Sequence, residues 1–146
     1  MMLCYFDTSA FVPLLIQESS SAACRRLWDD AEDVATSRLL YVEAAAALAQ
    51  AVRARRITVA REAAALRELD RFWRDFHVVE PTTQMIGRAA ALTSSYCLRA
   101  YDAVHCAAAE QVNDDDLIFA SGDRQQLKAG QSLGFSVADT NAPDYL

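Results

Sequence analysis

The sequence predicts an α/β fold in which a short central parallel sheet is flanked by helices. Three observations carry this. Short apolar runs alternate with longer segments of helical period. Those runs lack the in–out alternation of a half-exposed strand, as expected for strands covered on both faces. Alanine, the best helix former, makes up about a fifth of the chain, while glycine (4) and proline (3) are scarce. At 146 residues the chain is expected to form one domain, residues 1–146, within the usual span of roughly 100–200 residues per domain. With 53% hydrophobic and 23% charged residues it can bury a sizeable core, which excludes a disordered chain.

The elements follow in order. Leu3-Cys4-Tyr5-Phe6 is an apolar run with two aromatics that stops at Asp7, the pattern of a buried strand. Thr8 and Ser9 offer N-caps to the short helix AFVPLLIQ, which has Pro13 near its first turn. Ser19 to Ser21 open a second helix, SAACRRLWDDAE, and Asp33 to Thr36 form a brief strand. Ser37 is expected to cap the long helix RLLYVEAAAALAQAVRARR, with Leu40, Glu43, Ala47 and Gln50 on one face. Thr58 caps VAREAAALRELDRFWRDF. Its apolar stripe Leu66, Leu69, Phe72, Trp73 and Phe76 serves either the core or a partner surface. His77 to Pro81 reads as a strand closed by proline, and Thr83 leads into QMIGRAAALTSSY. RAYDAVHCAAAEQ is the next helix, followed by a polar turn at Asn113 to Asp116 and a clear strand at Leu117 to Ala120. Ser121-Gly122-Asp123 turns into the short helix RQQLK; Gly130 to Gly134 reads as loop and Phe135 to Ala138 as a last strand.

Charge narrows the function. With 14 basic against 20 acidic residues, net −6 and pI near 4.8, the chain does not bind nucleic acid by charge alone. An acidic protein can still handle nucleic acid where a metal cation bridges it to phosphate. The four cysteines (Cys4, Cys24, Cys97, Cys106) form no C-x-x-C pair, and His77 and His105 are not spaced for zinc. Each cysteine lies in apolar sequence, so buried reduced thiols and a cytoplasmic setting are expected. The start MMLCYFDTSAF has no basic segment before its apolar run, unlike a signal peptide, and no stretch reaches the ~18 apolar residues of a membrane span.

In open α/β sheets the ligand site lies beyond the carboxyl ends of the strands. Asp7 and Asp123 are expected there, with Glu43 and Asp102 in early helix turns. Each acid has an ordinary explanation of its own: a helix cap for Asp7 and Asp123, a first-turn acid for Asp102, a solvated side chain for Glu43. Together they conflict, because clustered carboxylates raise one another's pKa. A hard divalent cation with oxygen ligands, Mg²⁺ or Mn²⁺, resolves the conflict. His105, one turn after Asp102, reads as a packed core histidine rather than a catalytic base. Arg38, Arg99 and Arg124 each lie close in sequence to an acid.

FDTSAFV, VEAAAAL, YDAVHCAAA and ASGDRQQL resemble the four acidic motifs of the PIN domain, and their order and spacing resemble the VapC-type toxins of bacterial toxin–antitoxin pairs. The resemblance runs from Leu3 to about Val137. It implies a PIN-like three-layer fold and makes Asp7, Glu43, Asp102 and Asp123 the catalytic and metal-binding quartet. Ser121 matches the hydroxyl or amide residue common beside the last acid, and Gly122, between Ser121 and Asp123, departs from the pattern. Ser9, Ser121, Arg99 and Arg124 stand as candidate substrate contacts. The implied activity is Mg²⁺- or Mn²⁺-dependent endoribonuclease, in a homodimer inhibited by a small VapB-type antitoxin. A haloacid-dehalogenase phosphatase would want a second acid where Ser9 stands, and a receiver domain wants an early acidic pair; neither fits. The alternative from another class is a non-catalytic PIN-like interaction domain with a relict acidic pocket.

Overall fold

A computed structural model describes residues 2–113 and 115–142. Among these residues five strands, β1 (Leu3–Phe6), β2 (Asp33–Ser37), β3 (Phe76–Val79), β4 (Leu117–Ser121) and β5 (Ser136–Asp139), form one sheet in the order β3-β2-β1-β4-β5. Every pairing is parallel, with Tyr5 opposite Ala35 on one side and Phe119 on the other. The helices are α1 (Thr8–Phe11), α2 (Ser21–Asp30), α3 (Leu40–Arg53), α4 (Val59–Trp73), α5 (Thr83–Tyr96), α6 (Ala100–Val112) and α7 (Arg124–Ser132), with a 3₁₀ turn at Val12–Leu14.

The pleat sorts side chains between two cores. Cys4, Phe6, Val34 and Ala120 face α1–α4, with Leu48 and Leu69. Tyr5, Ala35, Leu117 and Phe119 face α5–α7, with Leu92 and Ala107. This is the three-layer fold expected, with strands covered on both faces. β1 is the switch point: the chain leaves it for β2 on one side and returns to β4 on the other, so a crevice opens beyond the carboxyl ends of β1 and β4.

Several boundaries differ from the sequence reading. Ser37 does not cap α3; it extends β2, opposite Val79, and its Oγ accepts from the Leu39 N–H at 3.2 Å. The buried stripe of α3 is Leu40, Ala44, Leu48 and Ala51, so Glu43 and Ala47 lie at its margin and Gln50 is exposed. α7 continues through Gly130 to Ser132, because a side chain at Gly130 would meet Val137 at 3.2 Å and the bare backbone lets helix and sheet close up. The turn comes at Gly134, φ +94°. β3 begins at Phe76 and β5 at Ser136, while Phe135 joins the core. Of the polar turn before β4, Asp114 lies outside the described residues.

The aromatic stripe of α4 is core. Leu69 and Phe76 are buried, and Leu66, Phe72 and Trp73 pack against the same cluster. Phe72 and Trp28 meet edge-on at 4.9 Å between centroids. The stripe therefore packs on the core, with Leu66, Phe72 and Trp73 left partly exposed. Cys4, Cys24 and Cys106 are buried; Cys97 is exposed, closing α5 in the left-handed conformation at φ 55°. Among the described residues no helix is long and apolar enough to cross a membrane.

Candidate active site

Four helix beginnings meet at the crevice, each carrying one of the four acids. Asp7 is the N-cap of α1, Glu43 lies in the first turn of α3, Asp102 in the first turn of α6, and Asp123 is the N-cap of α7. The ordinary explanations therefore hold for Asp7, Asp102 and Asp123 as cap or first-turn acids, whereas Glu43 is not a freely solvated side chain. A positive helix end also favours a carboxylate, so the fold lessens the repulsion among acids that it gathers.

Asp7 and Glu43 form the inner pair. Asp7 is 3% exposed. Its Oδ2 accepts from the Ser9 N–H at 3.3 Å, the Ser121 hydroxyl at 3.0 Å and the Ser9 hydroxyl. Glu43 Oε1 accepts from Thr8 Oγ1 at 3.0 Å and His105 Nε2 at 2.8 Å. Asp7 Oδ1 lies 3.7 Å from that same Nε2. His105 is fully buried, and its Nδ1 is 2.8 Å from the Tyr5 hydroxyl. Burial acts to lower the His105 pKa. The Glu43 hydrogen bond and the charges of Asp7, Glu43 and Asp102 outweigh it and leave the pKa raised. Burial, then the Asp7 charge, push Tyr5 well above the ordinary phenol value, so its hydroxyl keeps its proton.

Asp102 and Asp123 form the outer pair, joined by Arg99. Its Nε is 3.1 Å from Asp102 Oδ2 and its terminal nitrogen 3.4 Å from Asp123 Oδ2. Asp123 Oδ1 accepts from the Gln125 and Gln126 N–H groups at 2.9 and 3.1 Å. The Asp102 pKa is raised: burial, with the charges of Asp7 and Asp123, exceeds the lowering by Arg99. Exposure climbs outward, from buried Asp7 through the Asp102 side chain at 16% to the Arg99 side chain at 82%.

The pairs are stitched together at Ser121 and Gly122. Ser121 Oγ accepts from the Asp123 N–H at 3.0 Å while donating to Asp7. The Gly122 N–H donates to Ser9 Oγ at 2.8 Å, and a side chain at Gly122 would crowd Asn141 at 3.0 Å and Thr140 at 3.1 Å. The bare backbone at Gly122 thus lets Asn141 and Thr140 pack closely against the turn. Buried Gln126, which sequence reasoning missed, donates from Nε2 to the Asp102 carbonyl at 3.1 Å. Thr8 and Tyr5 were also missed as site residues; the signal available was their place on either side of Phe6-Asp7. Of the arginines, Arg99 reaches the acids. Arg124 is exposed at the start of α7, while Arg38 pairs with Glu80 (Nε to Oε1 3.1 Å) and lies over Trp73.

Among the described residues no three His, Cys, Asp or Glu side chains are arranged, as they stand, to hold a metal ion. Arg99 occupies the outer carboxylates and His105 one oxygen of Glu43. The donor set is nonetheless chemically suited to Mg²⁺ or Mn²⁺: four carboxylates, with Asp7 Oδ1 and Glu43 Oε2 taking part in none of the hydrogen bonds above.

The PIN domain family matches residues 4–131. The chain belongs to the PIN-domain family. This PIN domain is 40% identical over 138 residues to Ribonuclease VapC45 of Mycobacterium tuberculosis (strain CDC 1551 / Oshkosh), spanning 94% of this chain and 96% of that relative. Its fold is similar to the crystal structure of Mycobacterium tuberculosis VapC20, a sarcin-ricin loop cleaving toxin, at TM-score 0.67 and 18% identity over 91% of this chain and 95% of that one. It is also similar to a toxin-antitoxin complex from Klebsiella pneumoniae, at TM-score 0.63 and 16% identity over 96% and 98%.

Proposed function

We propose that this PIN domain is a VapC-type endoribonuclease, the toxin of a toxin–antitoxin pair, which hydrolyses RNA phosphodiester bonds at Asp7, Glu43, Asp102 and Asp123. One observation carries the reading: the sheet's switch point brings four helix N-termini together, each presenting an acid, around the crevice beyond β1 and β4. The name and 94% coverage of the VapC45 ribonuclease support it.

The four acids would hold Mg²⁺ or Mn²⁺, and a divalent cation bound there supplies charge stabilisation at the scissile phosphate and acidifies the attacking water. The chain's own residues do the rest. Ser9 and Ser121 fix the Asp7 carboxylate through Oδ2. Arg99, exposed and within reach of both outer acids, turns from them to substrate phosphate, a planar bidentate donor suited to that anion. Arg124, at the exposed start of α7, supplies a second phosphate contact. The partners we infer are an RNA substrate, a VapB-type antitoxin and a second copy of the chain, in the cytoplasm. The Klebsiella neighbour, solved as a toxin-antitoxin complex, supports the antitoxin.

Expression of the chain alone, and then with the product of the adjacent upstream gene, tests this. Mapped RNA ends should appear in the first case and vanish in the second. The rival reading, a relict interaction domain, is separated by calorimetry: a relict takes up little or no Mn²⁺, and the enzyme binds it.

A further inference from the structure

We propose that His105 is a positioning residue that, anchored by Tyr5, sets the Glu43 carboxylate among the other acids. The inference rests on the metal-binding reading of those acids and adds to it a residue outside the quartet.

Burying an imidazole is costly unless its nitrogens find partners, and both do. Nδ1 meets the Tyr5 hydroxyl at 2.8 Å, and Nε2 meets Glu43 Oε1 at 2.8 Å. A carboxylate oxygen carries no hydrogen, so Nε2 must carry one and donate it. The Tyr5 hydroxyl donates to Nδ1 of a neutral ring or accepts from a protonated one, and in both states it holds the ring in place. Tyr5 is itself fixed: it is fully buried on β1 and stacked on Phe119 at 5.5 Å and 6°, and Phe119 stacks on Phe135 at 5.7 Å. The chain of contacts therefore runs from the core through Tyr5 and His105 to Glu43. Thr8 Oγ1 adds a second donor to the same Oε1 at 3.0 Å. Both bonds fall on Oε1, which holds the carboxylate's orientation and leaves Oε2 outside them.

The partner on Nε2 is a carboxylate of another helix at the crevice, so satisfying the buried ring also sets the position of that acid. His105 also follows Asp102 by three residues on α6, so the two share a helix face. One helix thereby presents an acid of its own and fixes the acid of α3.

The test is Mn²⁺ calorimetry with thermal melts on the full chain and on His105→Leu, His105→Gln, Tyr5→Phe, Glu43→Gln and the His105→Leu/Glu43→Gln double variant. Loss of an outer partner of a metal ligand typically weakens binding by about 10–100-fold. His105→Leu should fall by at least about tenfold, Tyr5→Phe by less, and His105→Gln, whose amide still donates, should recover most of the affinity. On the Glu43→Gln background, His105→Leu should add nothing, because groups acting through one another are not additive. Unchanged affinity in His105→Leu, or an equal loss on both backgrounds, overturns the proposal. Should His105→Leu fail to fold, unchanged affinity in Tyr5→Phe overturns it instead. A wild-type chain that takes up no Mn²⁺ removes the metal reading and this inference with it. Wild-type uptake with unaltered variants removes this inference alone.

Discussion

The inner and outer acids of the crevice are held by different means. Asp7 and Glu43 are tied by buried or half-buried donors built into the fold: two serines, a threonine and a buried histidine braced by Tyr5. Asp102 and Asp123 share, through Oδ2, one arginine whose side chain is 82% exposed, while the helix N–H groups hold the other oxygen of Asp123. Hydrogen bonds within the core fix geometry, whereas a solvated ion pair contributes little, typically about 0–1 kcal/mol, and can be exchanged. The inner pair is thus the fixed half of the site and the outer pair the adjustable half, free to trade Arg99 for another cation.

The sharpest way to break this division is at Asp7. Asp7→Asn keeps shape and removes the charge most deeply set in the fold. We expect RNA cleavage to fall by at least about a hundredfold, a barrier rise of about 2.7 kcal/mol, with the circular dichroism spectrum unchanged. Cleavage at the parental rate would remove Asp7 from the site. A test across the division follows. Glu43→Ala and Asp102→Ala should each lose most activity, and the double variant little more, since groups acting as a unit are strongly non-additive. Losses that multiply would mean that the two halves work separately.

A smaller effect separates Asp123 from the acids before β4. β1 and β4 are parallel, with Leu3 opposite Leu117 and Phe6 opposite Ala120. Asp123 therefore shares the carboxyl edge with Asp7, while Asp115 and Asp116 stand at the amino edge. At about 3.3 Å per residue the strand separates the two edges by roughly 15 Å. Asp123→Asn should lower Mn²⁺-dependent cleavage by about tenfold, or 1.4 kcal/mol, and Asp115→Asn with Asp116→Asn should leave it nearly unchanged. The reverse result would put the reaction at the wrong edge of the sheet.

The acids and the contacts that hold them were unequally legible in the sequence. Each acid ends a strand or opens a helix, and strand ends and helix starts have local signals: an apolar run that stops, a cap, a first-turn carboxylate. The parallel sheet was legible for the same reason. Some of what holds the acids is local, as Ser9 with Asp7 and Arg99 with Asp102, but contacts such as Arg99 with Asp123 and Ser121 with Asp7 join residues 24 and 114 positions apart, and no local pattern encodes them. His105 shows the difference. Its reading as a packed histidine rested on that being the usual case, and it is fully buried, but only the fold brings Tyr5 and Glu43, 100 and 62 positions away, to its two nitrogens. Ser37 and Gly130 misled for a related reason. A serine after a strand reads as a cap until the neighbouring strand extends past it, and a glycine reads as a break until a close-packed sheet requires it.

The last expectation is the smallest and concerns stability. The Asp102 carboxyl has a raised pKa because burial, and the charges of Asp7 and Asp123, disfavour its ionised form more than Arg99 favours it. The folded chain therefore binds that proton more tightly than the unfolded chain, whose carboxyl titrates near the ordinary 3.8. Between the two pKa values the folded state carries the extra proton, so stability falls as pH rises through that window. Above the folded pKa the penalty is complete; below 3.8 it is absent because both states are protonated. Asp102→Asn cannot ionise and escapes it. The variant should melt higher than the parent at pH 7 in chelator, by no more than a few degrees, since about 1 kcal/mol moves the midpoint of a domain of this size by about 2–4 °C. The advantage should disappear near pH 3.5, below the ordinary carboxyl value. An advantage that persists in acid would come from packing rather than charge, and equal midpoints at pH 7 would mean that Arg99 fully compensates Asp102, leaving the outer acid as well satisfied as the inner ones.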